Sequence, residues 1–102
     1  IALTKSLALC HAPDRIRVNA VCPGPVGDTN MINDELRESP DPEATRRSLI
    51  DASPLAAAYG RMGTPEEIAE AVGYLASDAA AMITGTALSI DGGKSLGVPR
   101  KV

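Results

Sequence analysis

The first regular pattern runs over Ile1 to Ala12, where Leu3, Leu7 and Cys10 recur at a helical period. Apolar residues three and four positions apart share one face of an α-helix, so this spacing predicts a helix with one buried stripe. Pro13 follows at once, and the residue before a proline is disfavoured in the helical conformation. We therefore expect the helix to end there.

A strand is predicted next, over Ile16 to Val21. Ile16, Val18 and Ala20 alternate with residues on the other face, which is typical of a strand with one well-buried side. Because a proline donates no backbone hydrogen bond, we expect the run Pro23-Gly24-Pro25 to stop the strand ladder.

Residues 27–59 break this regularity, and we refer to them as the 27–59 segment. The segment is polar and contains three prolines, and short helices are predicted at Met31 to Glu38 and at Pro42 to Asp51. A connection of this length is uncommon inside a compact domain unless it has a function of its own. We therefore predict that the segment is a lid over a substrate.

The clearest helix is predicted over Pro65 to Ala76. Thr64 suits the N-cap, and Glu67 three residues later completes a T-x-x-E capping box, in which each side chain bonds to the backbone N–H of the other residue. A proline at the first helical position fits the same start. The buried stripe of this helix is expected to comprise Ile68, Val72 and Leu75.

A short buried strand is predicted over Ala87 to Ile90, followed by a turn at Asp91, Gly92 and Gly93. The tail from there to Val102 is polar and contains a proline, so we expect it to be loosely held.

The predicted order is helix, strand, long segment, helix and strand. Two strands joined by a long crossover that holds a helix form a βαβ unit, which implies a parallel pair and a right-handed connection. Parallel sheets are covered on both faces and need more than two strands. The predicted fold class is therefore α/β, with this chain at the edge of a larger, doubly wound parallel sheet.

Composition changes this picture by limiting the size of the core. The 102 residues include no Phe, no Trp and two Tyr, and much of the apolar content is Ala. Burial stabilises by about 25 cal/mol per Å² of apolar surface, so small side chains contribute little. We expect the chain to share a core with further sequence, and we interpret the absence of an initial Met as a sign of truncation.

Charge and cysteine usage exclude several kinds of partner. The net charge is −3, without the Lys/Arg cluster or aromatic platforms that bind nucleic acid. No apolar run approaches the length of a membrane span. Cys10 and Cys22 fit no metal-binding spacing, and two reduced thiols are typical of a cytoplasmic protein.

Four runs of the sequence resemble, in order, the C-terminal part of a short-chain dehydrogenase/reductase. IALTKSLA, at residues 1–8, is similar to the helix after that family's Tyr-x-x-x-Lys motif, and IRVNAVCPG, at 16–24, to its sixth strand. The last long helix of the family is matched by residues 61–80, RMGTPEEIAEAVGYLASDAA. Its final strand is matched by residues 83–93, ITGTALSIDGG. The resemblance implies a Rossmann-like sheet in which residues 1–102 form the C-terminal part of a single NAD(P)-binding domain.

The loop after the first strand carries the functional part of the resemblance. In the family this loop borders the nicotinamide of NAD or NADP, in keeping with the binding of ligands outside the carboxyl ends of parallel strands. By resemblance, Pro23 and Gly24 form the wall beside the ring. Val26 offers backbone groups to the carboxamide, and Thr29 supplies a hydroxyl. The run to Thr29 is one residue longer than the family's usual Pro-Gly-x-[Val/Ile]-x-Thr, and a turn at Gly27 is expected to absorb the difference.

The resemblance implies an oxidoreductase that interconverts a carbonyl and a secondary alcohol by hydride transfer, as a homodimer or homotetramer. A 3-oxoacyl carrier-protein reductase and a sugar or polyol dehydrogenase are both compatible with it. Two alternatives stay open, an enoyl reductase of the same superfamily and a non-catalytic oligomerisation or binding module. The family's glycine-rich fingerprint and catalytic Ser, Tyr and Lys have no counterpart in this sequence, so we expect the 102-residue chain alone to be inactive.

Other chemically suggestive residues are interpreted as structural. Lys5 is expected on a solvated helix face, and Asn19 is expected to bond to backbone groups. Arg61 is expected to fix the return of the 27–59 segment. Gly92 and Gly93 are interpreted as a turn and not as a phosphate loop, because they open no helix whose dipole would hold an anion.

Overall fold

The computed structural model describes residues 1–97, among which five α-helices and two strands are formed. The helices are α1 (Ala2–His11), α2 (Asn30–Glu38), α3 (Pro42–Asp51), α4 (Pro54–Tyr59) and α5 (Pro65–Ala76). The strands are β1 (Ala20–Pro23) and β2 (Ala87–Ile90), and 3₁₀ turns lie at Ala12–Asp14, Asp78–Ala80 and Lys94–Leu96. The second strand and every predicted helix are thereby confirmed.

The two strands lie side by side in parallel, as the βαβ order predicts. Ala20 is paired with Ala87 and Pro23 with Ile90, so the carboxyl ends of both strands meet at one edge. The chain continues from that edge into two loops, one after each strand, and these loops build the candidate site.

The first strand begins at Ala20, later than the alternation over Ile16 to Val21 predicts. The preceding stretch is held to the residues before β2 by one backbone bond, from Gly85 N–H to Val18 O at 2.8 Å, and otherwise by side chains. Asn19 Nδ2 donates to Ile83 O at 3.0 Å, and Asn19 Oδ1 accepts from Thr86 N–H at 3.0 Å. The expectation for Asn19 is confirmed, but the predicted start of the strand is wrong because alternation does not show which groups satisfy the backbone.

Arg17 ties the same stretch to the end of α5. Its guanidinium donates to the carbonyl oxygens of Leu75 and Ser77, the latter at 3.2 Å. The last carbonyls of a helix have no partner within the helix and carry partial negative charge, so an arginine there satisfies and stabilises them. The approach to β1 is therefore fixed to α5 as well as to β2.

The predicted stripe of the first helix is not the surface that packs. Leu3 is 70% exposed, and Leu7 and Cys10 are exposed as well. Ala8 is 3% exposed and lies near Gly85. Within residues 1–97 the stripe is not buried, because the helix contacts the stretch before β2 through the small residue Ala8 and no element covers the leucines.

The 27–59 segment folds around a small hydrophobic cluster of its own. Ile32 from α2 and Ile50 from α3 are buried together with Met62, which follows the segment. The partly buried residues that pack against this cluster are Leu36, Leu49 and Ala56. The segment is therefore a folded unit and not an irregular connection.

The third helix of the segment, α4, was not predicted. It begins at Pro54 after the N-cap Ser53 and ends at Tyr59, and the C-cap Gly60 has a φ of 75°. A proline at the first position and a left-handed glycine at the end are ordinary helix boundaries. The helix has only six residues, too few for an apolar period to show in the sequence.

The last helix, α5, has the predicted capping box. Thr64 Oγ1 accepts from Glu67 N–H at 3.2 Å, and Glu67 Oε1 accepts from Thr64 N–H at 2.8 Å. Of the predicted stripe, Leu75 is buried and Ile68 is half-buried, whereas Val72 is 47% exposed. The stripe is only partly covered because two strands are too narrow a sheet to reach across the helix.

The tail differs from its prediction where the structure describes it. The residues Lys94–Leu96 form a 3₁₀ turn, whereas the sequence predicts a loosely held tail. The rest of the predicted loose tail, residues 98–102, lies outside the described residues. Between residues 1 and 97, no helix combines the length and hydropathy needed to cross a bilayer.

Candidate functional site

The loop that follows β1 starts while the strand is still bonded to β2. Pro23 is paired with Ile90, and the Gly24 N–H donates to Ile90 O at 3.1 Å. The ladder therefore ends within Pro23-Gly24-Pro25, as expected. In this parallel pairing the bond is made by the amide of the following residue, and the nitrogen of Pro23 faces away from β2.

Gly24 lies against the turn after β2. A Cβ on Gly24 would lie 3.0 Å from Asp91 Cα and 3.1 Å from Asp91 Cβ, which is closer than side chains normally pack. The glycine therefore allows the two strand ends to approach each other. This contact is a structural reason for the glycine, beside the close approach of a cofactor ring that the resemblance implies.

Val26 forms a single parallel bridge with Gly63. The bonds come from its neighbours, since Gly27 N–H donates to Gly63 O at 2.9 Å and Gly63 N–H donates to Pro25 O at 3.3 Å. We call these two bonds the neck, because they join both ends of the 27–59 segment. In this pattern the N–H and C=O of Val26 itself point away from Gly63.

Thr29 is the N-cap of α2. Its Oγ1 donates to Val26 O at 2.9 Å and accepts from Ile32 N–H at 3.4 Å. A hydroxyl has one proton and two lone pairs, so one acceptor position on Thr29 is left. The turn expected at Gly27 is present, but Asp28 and not the glycine takes the left-handed conformation, with a φ of 59°.

A cavity of about 360 Å³ lies between the loop after β1, the end of β2 and the 27–59 segment. Gly24 and Pro25 form part of its wall. The apolar side chains around it are Leu49, Leu55, Ala56, Met62, Ile68 and Ile90. The polar and charged residues of its lining are Ser53, Tyr59, Arg61, Glu67, Ser89 and Asp91. Small-molecule sites in proteins are typically concave, with polar groups that fix the orientation of the ligand.

Ser53 is a buried polar residue at this cavity that sequence reasoning missed. It is 2% exposed, and its Oγ donates to Asp91 O at 2.7 Å. Leu55 N–H donates to Gly92 O at 2.9 Å. We call these two bonds the anchor, because they fasten the start of α4 to the turn after β2. The sequence signal at Ser53 is that of a helix start, which carries no information about a partner 38 positions away.

Asp91 organises the turn that receives the anchor. Its carboxylate accepts from Gly93 N–H at 2.9 Å and from Ser95 N–H at 3.1 Å. These bonds hold the pKa of the Asp91 carboxyl below its ordinary value, and the bond from Gly93 has the largest effect. Contrary to the expectation, Gly93 does open a short 3₁₀ turn. The aspartate already occupies the amides that a phosphate would need.

Arg61 joins the return of the 27–59 segment to the start of α5, as expected. Its guanidinium donates to both carboxylate oxygens of Glu67, at 2.9 and 3.2 Å, and lies 5.2 Å from the centre of the Tyr59 ring. The bond from Arg61, followed by the one from the Thr64 backbone, lowers the pKa of Glu67 to about 2. The pair is exposed, so its attraction is screened by solvent.

Comparison with known proteins places these features in one family. The profile of a family described as "Enoyl-(Acyl carrier protein) reductase" matches residues 1–95, a range that includes every helix and strand of residues 1–97.

Two curated relatives show the extent of the similarity. The 2-(S)-hydroxypropyl-CoM dehydrogenase 3 of Xanthobacter autotrophicus is 45% identical over 93 residues, which are 91% of this chain and 34% of the relative. Dehydrogenase/reductase SDR family member 6 of Aquarana catesbeiana is 44% identical over 96 residues, which are 94% of this chain and 37% of the relative. The chain thus spans about a third of the length of these relatives.

A solved structure agrees with the sequence relatives. The ligand-free aldohexose dehydrogenase of Thermoplasma acidophilum superimposes with a TM-score of 0.81 at 38% identity, over 99% of this chain and 39% of that one. The predicted α/β fold class, with its parallel strands, is confirmed. The chain belongs to the short-chain dehydrogenase/reductase family.

Proposed function

We propose that this chain is the C-terminal part of an NAD(P)-dependent oxidoreductase that interconverts a carbonyl and a secondary alcohol of a small molecule. The observation that carries the proposal is the loop from Pro23 to Thr29. It lies at the carboxyl end of a parallel strand pair, and it turns the backbone groups of Val26 away from Gly63. Family membership supports the class of reaction.

The loop fits the carboxamide of a nicotinamide group by group. A primary carboxamide has one acceptor oxygen and one NH₂ donor. In our proposal Val26 N–H donates to the oxygen, and Val26 C=O together with the free lone pair of Thr29 Oγ1 accepts from the NH₂. Pro23 and Gly24 form the adjacent wall, with no long side chain to obstruct a flat ring.

The division of labour follows from the chemistry of these residues. When bound, the nicotinamide supplies the hydride chemistry. Pro23, Gly24, Val26 and Thr29 bind and orient it, and none of them has a side chain that exchanges a proton near neutral pH. The proton that accompanies the hydride is therefore handled outside this loop. The 27–59 segment acts as the lid that excludes water from the reacting end.

An enoyl reductase is the second candidate, and the description of the matching family favours it. That reaction reduces a carbon–carbon double bond with the same cofactor. The printed names of the relatives favour dehydrogenation of an alcohol or a sugar instead. Substrate type therefore separates the two candidates, and a 3-oxoacyl thioester and a sugar are the two carbonyl classes to test.

The reaction class is tested on the intact protein with purified NADH and NADPH. We expect oxidation of one of them with a 3-oxoacyl thioester or a ketose, and the reverse reaction with the matching secondary alcohol. Turnover confined to enoyl thioesters would establish the second candidate. No turnover with any of these compounds would count against both candidates.

The assigned carboxamide contact is tested by Val26→Pro, which removes the N–H and retains an apolar residue. Loss of one hydrogen bond is expected to weaken cofactor binding by roughly threefold to tenfold. Val26→Ala keeps the amide, so it is the matched control and should bind as the wild type does. Equal affinities of the two variants in a fluorescence titration with NAD(P)H would refute the contact.

We further propose a cytoplasmic homodimer or homotetramer. Exposed apolar side chains on α1 and α5, among them Leu3, Leu9 and Tyr74, support an interface there. Cys10 and Cys22 are free thiols, which is typical of a reducing compartment. Light scattering on the intact protein tests the oligomeric state.

A further inference from the structure

The 27–59 segment is fastened to the strand ends at two places, the neck and the anchor. The neck joins Val26 and its neighbours to Gly63, and the anchor joins Ser53 and Leu55 to the turn after β2. Residues of both fastenings line the 360 Å³ cavity. Between the two fastenings, therefore, open space and not close packing separates the segment from the strand ends.

The two fastenings differ in kind. The neck consists of backbone bonds at Gly27 and Gly63, which no side-chain substitution removes directly. The anchor includes one side-chain bond, from Ser53 Oγ to Asp91 O. A single substitution at Ser53 can therefore loosen the anchor and leave the neck intact.

Ser53 has little freedom to move. A Cβ on Gly92 would lie 2.3 Å from Ser53 Oγ, so the glycine leaves the space that the hydroxyl fills. Gly92 also has a φ of 63°, a backbone conformation that residues with a side chain rarely adopt. On the other side, Ser53 N–H donates to Ile50 O at 3.2 Å, which ties the serine to the hydrophobic cluster of the segment.

The contact continues from Ser53 to the loop after β1. Ser53 Oγ donates to the carbonyl oxygen of Asp91. A Cβ on Gly24 would lie 3.0 Å from the Cα of the same aspartate. The 27–59 segment and the loop after β1, which we also call the cofactor-facing loop, therefore both contact the backbone of Asp91. A change at Ser53 alters the position of the segment, whereas the backbone groups of Val26 are held by the neck.

We propose that Ser53 is a positioning residue that sets the distance of the 27–59 segment from the cofactor-facing loop and so determines substrate affinity. Its kinetic consequence rests on the proposed function. Because the anchor acts on the segment and the neck holds Val26, the residue affects the binding of the carbonyl substrate and leaves cofactor binding unchanged.

The test compares Ser53→Ala with Ser48→Ala, an exposed serine on α3 of the same segment. In the intact protein, Ser53→Ala is expected to raise KM for the carbonyl substrate by about fivefold to tenfold. The dissociation constant of NAD(P)H serves as the internal reference and should equal that of Ser48→Ala. Hydrogen exchange at the Leu55 amide is expected to be faster in Ser53→Ala alone.

Two results would overturn the proposal. One is an unchanged exchange rate at Leu55, since the anchor would then hold without the hydroxyl. The other is an equal loss of substrate and cofactor affinity, which a general loss of structure would produce. If the intact protein reduces no carbonyl compound, the proposed function fails, and exchange at Leu55 together with the cofactor titration still decides the role of Ser53. If Ser53→Ala does not fold, Ser53→Cys, whose thiol is somewhat larger than the hydroxyl and a weaker donor, is measured in the same way.

Discussion

Gly24 lies where the end of β1 comes closest to the turn after β2. The position of its absent Cβ is 3.0 Å from Asp91 Cα, so any side chain there must displace the backbone of one strand end. Gly73 in α5 offers a contrast, because a Cβ there meets nothing within 4 Å. A glycine is therefore sterically required at position 24 but not at position 73.

We predict that Gly24→Val destabilises the intact protein by about 1–3 kcal/mol, since the added atoms crowd a packed contact. Cofactor binding is expected to weaken as well, because the loop after β1 moves with Gly24. Gly73→Ala is the control and should stabilise the protein by about 0.5–1 kcal/mol, since alanine favours a helix interior. Urea unfolding and a cofactor titration measure both effects. Lost stability with unchanged cofactor affinity would assign Gly24 to strand packing alone.

At the scale of elements, α5 is fixed by signals that lie close together in the chain. Thr64 and Glu67 cap the helix reciprocally, and Arg61 adds two bonds to the same carboxylate. The 27–59 segment therefore returns onto the start of α5 through a charged contact. The strand β1, by contrast, begins only where the side-chain bonds of Asn19 end, and these reach residues far along the chain.

The capping contact predicts a dependence of stability on pH. The pKa of Glu67 is about 2 in the folded chain, below its ordinary value of 4.5. A depressed carboxyl pKa contributes stability that is present above the unfolded value and lost as the pH falls through the folded value. The stabilisation from the Glu67 carboxylate is therefore lost as the pH falls from 4.5 to about 2. Because Glu67 is exposed, added salt should weaken the effect.

We expect Glu67→Gln to lose less thermal stability than the wild type when the pH is lowered from about 6 to about 3. Glu70→Gln, on the same helix, is the matched control and should lose as much as the wild type. The thermal midpoint of the intact protein at the two pH values provides the measurement. An equal loss in both variants would show that the Arg61 contact does not stabilise the fold.

At the scale of the whole molecule, residues 1–97 leave much apolar surface exposed. The Cα radius of gyration is 16.5 Å, whereas a compact domain of about 100 residues has one of roughly 13 Å. The buried hydrophobic residues are Ala8, Ile32, Ile50, Met62, Leu75 and Ala80. Such a core is small, and large side chains on α1 and α5 have no cover among the described residues.

We predict that the purified 102-residue chain neither turns over alcohols nor holds NAD(P) tightly. The loop that we propose to bind the carboxamide is present, but the sequence has no glycine-rich fingerprint to bind the pyrophosphate. Absorbance at the nicotinamide band and equilibrium titration measure turnover and binding. Detectable turnover by this chain would contradict the prediction.

Local signals in the sequence determined the helices α2, α3 and α5, the strand β2 and the capping box, because each depends on residues within one or two helical turns. The resemblance named Pro23, Gly24, Val26 and Thr29 as cofactor-binding residues, and that assignment stays a prediction. The structure adds that Val26 turns its backbone groups away from Gly63, that its carbonyl accepts from Thr29 Oγ1 and that Thr29 already caps α2.

Contacts between distant parts of the chain were decided only by the tertiary structure. Asn19 bonds to Ile83, 64 positions away, and Ser53 bonds to Asp91, 38 positions away. The start of β1, the packing of α1 through Ala8 and the anchor of the 27–59 segment all depend on such contacts. Periodicity and capping report on neighbours along the chain, whereas these partners become neighbours only when the two strands align in parallel.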